Sequence, residues 1–278
     1  MSATRNPNLG PSQLRLKKRR LFWIRSYIVA GVLFVLVIGL AIASGIEKTK
    51  IKNISVSGNV SVTKGEILDI TERDLEGRYW YLFSRRNSLI FPRFKIESDL
   101  SLGIKRFEAV NVGWVDLNTI EIIVKERKPY SLWCGADERI SDQCYFMDNT
   151  GYIFGVAPIF SGNAFLKYFG KIDEKKDPIG QYYLGAADYP AIDSFVAKFN
   201  ELGYRLDSVS FDGRDFYLTL ENGVQVILPG KNNLNALFDN LSLAISSKQI
   251  DFLGNTSLKY VDLRFDNKIL VGKKEKAN

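Results

Sequence analysis

The sequence predicts an α+β protein with an N-terminal transmembrane helix, a β-α-α-β-β domain, and then a β-sheet domain with two packed helices. Three observations predict this. Tyr27 to Ile46, YIVAGVLFVLVIGLAIASGI, is a run of twenty residues without a charge. Residues 50–128 then carry strand and helix patterns in the order β-α-α-β-β. Beyond Tyr130, alternating apolar segments joined by Gly- and Asn-containing turns enclose two amphipathic helical stretches. The 278 residues are 46% hydrophobic and 25% charged, an ordinary globular composition with room for one large or two small domains.

The net charge of +7 is confined to one arm. Residues 1–46 hold seven basic residues (Arg5, Arg15, Lys17, Lys18, Arg19, Arg20, Arg25) and no acidic one, while the rest is balanced at 31 against 31. A nucleic-acid surface is therefore not expected. At 1.5 Å per residue the uncharged run makes a helix of about 30 Å, the thickness of a bilayer's hydrocarbon core. Phe22, Trp23 and Tyr27 sit at its basic end, where amphipathic rings favour the headgroup layer. Basic flanks stay inside, so residues 1–26 are expected in the cytoplasm, 27–46 in the membrane and the remainder outside. An Ala-x-Ala-like site at Ala41–Ala43 leaves signal-peptide cleavage chemically open. The length of both the apolar run and the region before it favours an uncleaved anchor.

After the anchor, Ile51, Ile54 and Val56 mark a strand and SGN a turn. Thr63 with Glu66 forms a capping-box pattern ahead of Ile67, Leu68 and Ile70. EGRYWYLFSRRNSLIFPRF reads as an aromatic connector in which Pro92 breaks any helix. Ser98 is the expected cap of a second helix, with Ile96, Leu100, Ile104 and Phe107 at helical spacing. VNVGWVDL and TIEIIVKERKP read as a hairpin around DLN, with Ile120, Ile122 and Val124 on one face. Trp80, Trp114 and Trp133 are expected in the core or packed on a sheet.

In the second module, PAIDSFVAKFNELG places Ile192, Phe195, Val196, Phe199 and Leu202 on one helical face, with Gly203 as its C-cap. RLDSVSF, DFYLTLENG and VQVILPG read as strands joined at DGR and ENG turns. NNLNALFDNLSLAIS supplies the second helix through Leu234, Leu237, Phe238, Leu241, Ala244 and Ile245. The stretch SLKYVDLRFDNKILVG reads as one closing strand. Its Val261, Leu263 and Phe265 are expected in the core, and Tyr260, Asp262 and Arg264 on the other face. GKKEKAN, residues 272–278, is expected to be a flexible tail.

Cys134 and Cys144 flank GADERISDQ. Outside the cytoplasm such a pair closes a loop as a disulfide worth roughly 2–3 kcal/mol; two free thiols are the alternative. Two cysteines and no histidine supply too few soft ligands for a structural zinc site.

Four segments, in order, carry a family resemblance. ISVSGNVSVTKGEIL resembles the opening of a POTRA domain. IEIIVKERKPYSLW, CYFMDNTGYIF and KYVDLRF resemble successive stretches of the bacterial cell-division family FtsQ/DivIB. Residues 160–184 and the two cysteines have no counterpart in that pattern. The resemblance implies a POTRA-like domain at 50–128 and an FtsQ-like β domain at 129–271. It also implies a single-pass scaffold of the inner membrane at the division septum. Its outer part would bind FtsB- and FtsL-like proteins and help control septal peptidoglycan synthesis, with no cofactor and no small-molecule substrate. The partner segment is expected to add beside the final strand, facing Tyr260, Asp262 and Arg264, with Phe265 and Lys268 nearby. Tyr260 would supply an aromatic contact, and Asp262 and Arg264 charge complementarity. Alternatively, Asp262 and Arg264 pair with each other or with a sheet neighbour. A second surface is expected at the POTRA-like edge near Ile54 to Asn59.

Catalysis is not expected. The absence of histidine excludes Ser-His-Asp and Cys-His arrangements. Ser61 to Lys64 fits S-x-x-K but lacks the partner motifs, and helix capping accounts for it. Asp212 and Asp215 flank a glycine turn, which explains them without a glycosidase pair. Two other classes remain as alternatives: a POTRA-bearing outer-membrane assembly or secretion factor, which would need a C-terminal barrel, and an anchored extracytoplasmic enzyme.

Overall fold

The computed structural model describes residues 13–137, 143–160, 163–231, 233–254, 256–265 and 268–274, with side chains from Arg19 onward. The side chains of Arg5, Arg15, Lys17 and Lys18 and the tail beyond Lys274 lie outside that description. The chain is mixed α+β and divides into two compact units. One comprises Met1–Gly103 with Ala109–Lys125, the other Ile104–Glu108 with Glu126–Asn278.

The first unit begins with α1 (Gln13–Ser44). Its portion Arg19–Ser44 has a hydropathy of 2.6 over its apolar window, and none of that window is buried. By length and composition α1 is able to cross a membrane; a core helix would be covered by its own protein. A single 3-10 turn, Glu47–Thr49, leads to β1 (Asn53–Ser57). Gly58 then turns the chain at φ +85°, and a Cβ there would stand 2.0 Å from the Val124 carbonyl oxygen. No other residue type satisfies both demands. Helix α2 (Lys64–Leu75) opens with the expected capping box: Thr63 Oγ1 accepts the Glu66 N–H, and the Glu66 carboxylate accepts the Thr63 N–H.

The aromatic stretch expected to be a connector contains a small hairpin, β2 (Arg78–Tyr79) and β3 (Phe83–Ser84), with Tyr79 opposite Phe83. Helix α3 (Arg93–Gly103) starts directly after Pro92, so Ser98 lies inside it rather than at its cap. The fixed φ of proline suits a helix start, and the Pro92 carbonyl accepts the Ile96 N–H. Ile96 and Leu100 are buried as predicted, but Phe107 opens a strand instead of extending the helix. Strands β4 (Phe107–Asp116) and β5 (Thr119–Glu126) complete a sheet of order β1-β5-β4. Strand β1 runs parallel to β5, which requires a crossover, and α2 and α3 supply it. Ile120, Ile122 and Val124 are buried as their alternation predicts. Trp80 and Trp114 are not core residues: they are 83% and 65% exposed. The Trp114 indole lies edge-on to Phe91 and donates to the Ser88 carbonyl, so its polar atom is satisfied at the surface.

The second unit runs through β6 (Ser131–Trp133), β7 (Tyr145–Met147), β8 (Ile153–Val156) and β9 (Lys167–Gly170). Next come α4 (Asp188–Glu201), β10 (Leu206–Phe211), β11 (Asp215–Leu220) and β12 (Gln225–Pro229). It ends with α5 (Leu234–Ser246), β13 (Leu258–Phe265) and β14 (Lys268–Lys273). The nine strands form one sheet of order β14-β13-β12-β11-β10-β9-β6-β7-β8. Strand β9 lies in the stretch that matched no family segment, yet it sits centrally, parallel to both β6 and β10. Ile192, Phe195, Val196 and Phe199 of α4 and Leu237 and Leu241 of α5 pack on Val209, Phe216, Leu218, Val226, Val261 and Leu263 of the sheet. Each such side chain contributes about 1.5–3 kcal/mol of burial free energy. Leu202 falls just past α4 and is 41% exposed, outside the predicted apolar face.

Two of the family-like segments meet here. Arg127 Nη1 donates to Asp148 Oδ2 at 2.5 Å, and its guanidinium lies 4.1 Å from the Tyr152 ring centroid. Asp148 Oδ1 accepts from the Thr150 and Tyr152 N–H groups and the Thr150 hydroxyl, forming the turn at Gly151. Burial opposes the Asp148 charge, but the bonds from Thr150 and Arg127 outweigh it and hold the carboxyl below its ordinary range. Cys134 and Cys144 form a disulfide that joins the ends of β6 and β7, beside Leu132, Ala157 and Phe169 on the sheet face away from the helices.

Candidate partner-binding edge

The predicted docking segment resolves into two strands. SLKYVDLRFDNKILVG is not one closing strand: β13 ends at Phe265, and β14 returns antiparallel to it, with Phe265 opposite Lys268. Strand β13 is therefore interior, hydrogen-bonded to β12 on one side and β14 on the other. The sheet margin lies one strand further on, and Gly272 and Lys273, expected in the tail, belong to it.

The alternation within β13 follows the prediction as far as Arg264. Val261 and Leu263 face the helices, with Tyr260, Asp262 and Arg264 on the opposite face. Phe265 departs from it. The register slips between Asp262 and Phe265, and the ring is 49% exposed instead of buried.

Tyr260, Asp262 and Arg264 each have a partner within the molecule, whereas Phe265 and Lys268 are exposed. Tyr260 lies opposite Gly272, its ring covering the glycine: a Cβ at 272 would approach Tyr260 Cε1 to 2.2 Å. An aromatic ring over a cross-strand glycine makes up the packing that the glycine lacks. Arg264 reaches Asp262 through Nε (2.9 Å to Oδ1) and Nη2 (2.6 Å to Oδ2), and reaches Asp215 on β11 through Nη1 at 3.0 Å. The two carboxylates are almost fully buried, while the guanidinium is about a third exposed. Hydrogen bonding from Arg264 holds Asp262 below the usual carboxylate range against the opposing effect of burial. The same bonds raise the Arg264 pKa further. The charges expected to select a partner thus stitch β13 to β11 across β12.

Asp215 therefore has a structural partner forty-nine residues away that sequence spacing does not reveal. Asp212 shapes the turn before β11: its Oδ1 accepts the N–H groups of Arg214 and Asp215, both at 2.8 Å. Those bonds hold its carboxyl low, so turn chemistry accounts for Asp212, whereas the Asp215 carboxylate is taken up by Arg264 and Arg214.

Strand β14 carries the free margin. Among the described residues it pairs with β13 alone. Lys268, Leu270, Val271 and Lys273 are exposed, while Ile269 packs against the core. The opposite margin, β8, is different. The Ile153 N–H donates to the Gln181 carbonyl and the Gly180 N–H to the Ile153 carbonyl, so the chain's own 180–183 segment covers part of it. In the first unit, β1 with Ile54 is an edge strand, as the second predicted surface requires. The residue sequence reasoning placed on the true margin is Lys268; Leu270 and Val271 were missed. The signal for them was the Asp266–Asn267 pair between two apolar runs, a hairpin signature.

No protein-family model matches the chain, and comparison with curated proteins finds no match.

Proposed function

We propose that the chain is a non-catalytic, single-pass scaffold of the FtsQ/DivIB type, held in the bacterial inner membrane at the division septum. In this reading α1 is the anchor, the first unit is a POTRA-like domain, and the second is the β domain that receives FtsB- and FtsL-like partners. Support for the POTRA-like assignment comes from the order β1-α2-α3-β4-β5, interrupted by the β2–β3 hairpin, with β5 at the centre of its sheet. The observation that carries the function is the open β14 margin, bearing exposed Leu270 and Val271 between Lys268 and Lys273. A partner strand laid there gains main-chain hydrogen bonds for affinity. Leu270 on one face and Val271 on the other offer apolar contacts for selection. Flanking lysines discourage the same edge from pairing with a second copy of itself. The Asp262–Arg264 pair then serves to tie β13, the strand on which β14 rests, to β11 rather than to touch the partner.

The test is a β14 variant, Leu270→Glu with Val271→Lys. It should lose co-purification with the single-pass FtsB- and FtsL-like proteins of its own bacterium while keeping its melting temperature and membrane location. Unchanged co-purification would overturn the assignment.

A further inference from the structure

The tip of the β2–β3 hairpin presents large exposed side chains. Trp80 and Tyr81 at its tip are 83% and 93% exposed, and Leu82 is 43% exposed. Both aromatic residues adopt left-handed backbone conformations, φ +47° and +63°. Bulky side chains rarely occupy that region, where glycine or asparagine is the usual choice. Folding alone therefore does not explain an indole and a phenol at these positions. Leu89 (64% exposed) and Phe94 (81% exposed), in the stretch that follows, are further exposed apolar side chains.

The hairpin's attachment indicates what faces this surface. The Ser84 N–H donates to Ser44 Oγ at 3.3 Å, and Asn87 Nδ2 donates to the Ser44 carbonyl at 3.0 Å and to Thr49 Oγ1 at 2.9 Å. Ser44 ends α1, and the uncharged run continues past it to Ile46. The base of the hairpin is thus bonded to a residue still inside the apolar run. Wherever α1 crosses a bilayer, this bond places the base of the hairpin near the level where acyl chains give way to headgroups. Tryptophan and tyrosine favour that layer. Arg78, exposed at the start of β2, is placed to meet lipid phosphate.

We infer that Trp80, Tyr81 and Leu82 insert into the outer leaflet of the membrane that α1 spans. The hairpin becomes a second, interfacial foothold that limits how the first unit swings about its anchor. This inference rests on the anchor reading, and the experiment separates the two. Full-length protein is reconstituted in vesicles of phosphatidylcholine and phosphatidylglycerol with acyl chains brominated near the headgroup, and tryptophan quenching is read. Trp23, at the far end of α1, reports the anchor; Trp80 reports the hairpin. In a Trp23→Phe background, adding Trp80→Phe should remove at least half of the remaining lipid-dependent quenching. Equal quenching in both variants, with Trp23 still quenched in the Trp80→Phe single variant, would leave the anchor standing and overturn the hairpin inference. Quenching of neither tryptophan would remove the anchor and the hairpin insertion together. Because Trp80 is exposed, Trp80→Phe should leave the unfolding transition in place, which circular dichroism verifies in the same samples.

Discussion

Replacing Arg264 by methionine tests whether the charged face of β13 is structural. The substitution leaves Asp262 and Asp215, whose side chains are 5% and 7% exposed, without the guanidinium that binds both. Removing one partner of a buried ion pair costs about 3–5 kcal/mol. The Arg264 side chain is 32% exposed, so water already shares its charge. Arg214 also remains 3.2 Å from Asp215. Both facts reduce the expected loss to about 2–4 kcal/mol. For a unit of this size that is a fall in Tm of about 5–12 °C. The pH dependence gives a second signature. Asp262 is held below its unfolded pKa, so its contribution is present above about pH 4 and is lost as pH falls through the folded value. Without Arg264 the buried Asp262 carboxyl takes up its proton at higher pH, which relieves the uncompensated charge. The gap in stability between wild type and Arg264→Met should therefore narrow between about pH 7.5 and about pH 4.5. Thermal unfolding of the full-length protein in detergent, followed by circular dichroism, measures it. A loss under about 1 kcal/mol, or a gap that stays constant or widens in acid, would refute the buried network.

Other consequences follow from the same geometry. Gly272→Val forces its Cβ into the Tyr260 ring and should destabilise the β13–β14 hairpin by about 1–3 kcal/mol; adding Tyr260→Ala should recover part of that loss, which a double-mutant cycle reads. Gly151→Ala combines a φ of +78° with a contact of 2.8 Å to the Tyr189 ring, and its Tm should fall where that of an exposed turn such as Gly213→Ala falls less. Reducing the Cys134–Cys144 bond, whose partners are ten residues apart, should lower stability by about 2–3 kcal/mol in thermal unfolding with and without reductant. Full-length protein should remain with the membrane after alkaline extraction and keep its residues before Ser44, as N-terminal peptide analysis shows.

Periodicity made the large elements legible. The apolar faces of α4 and α5 and the buried alternation of β5 were visible because the core selects one face of each element. What escaped depended on contacts remote in sequence or on competing local signals. Strand β9 is short and carries no family-like motif, and only its pairing with β6 and β10 makes it central. Proline both breaks and starts helices, and only the structure shows that Pro92 starts α3; the polar Ser98 inside that helix mimics a cap. At the margin, β14 was merged into β13 because both runs are apolar and alternate. The slip at Phe265, which reverses which side is buried, appears only once the register is known. The Asp262–Arg264 pairing was among the readings of the sequence; the third member, Asp215, was not, since nothing local links β11 to β13.

In the proposed function, β14 is the margin that a partner strand completes. A photo-crosslinking residue at position 270, installed in the protein expressed in its native host, probes that margin, with position 156 on β8 as the control. Position 270 should capture a small single-pass division protein through a peptide in its extracytoplasmic segment, and position 156 should not. Equal capture at both positions, or capture at 156 alone, would contradict it.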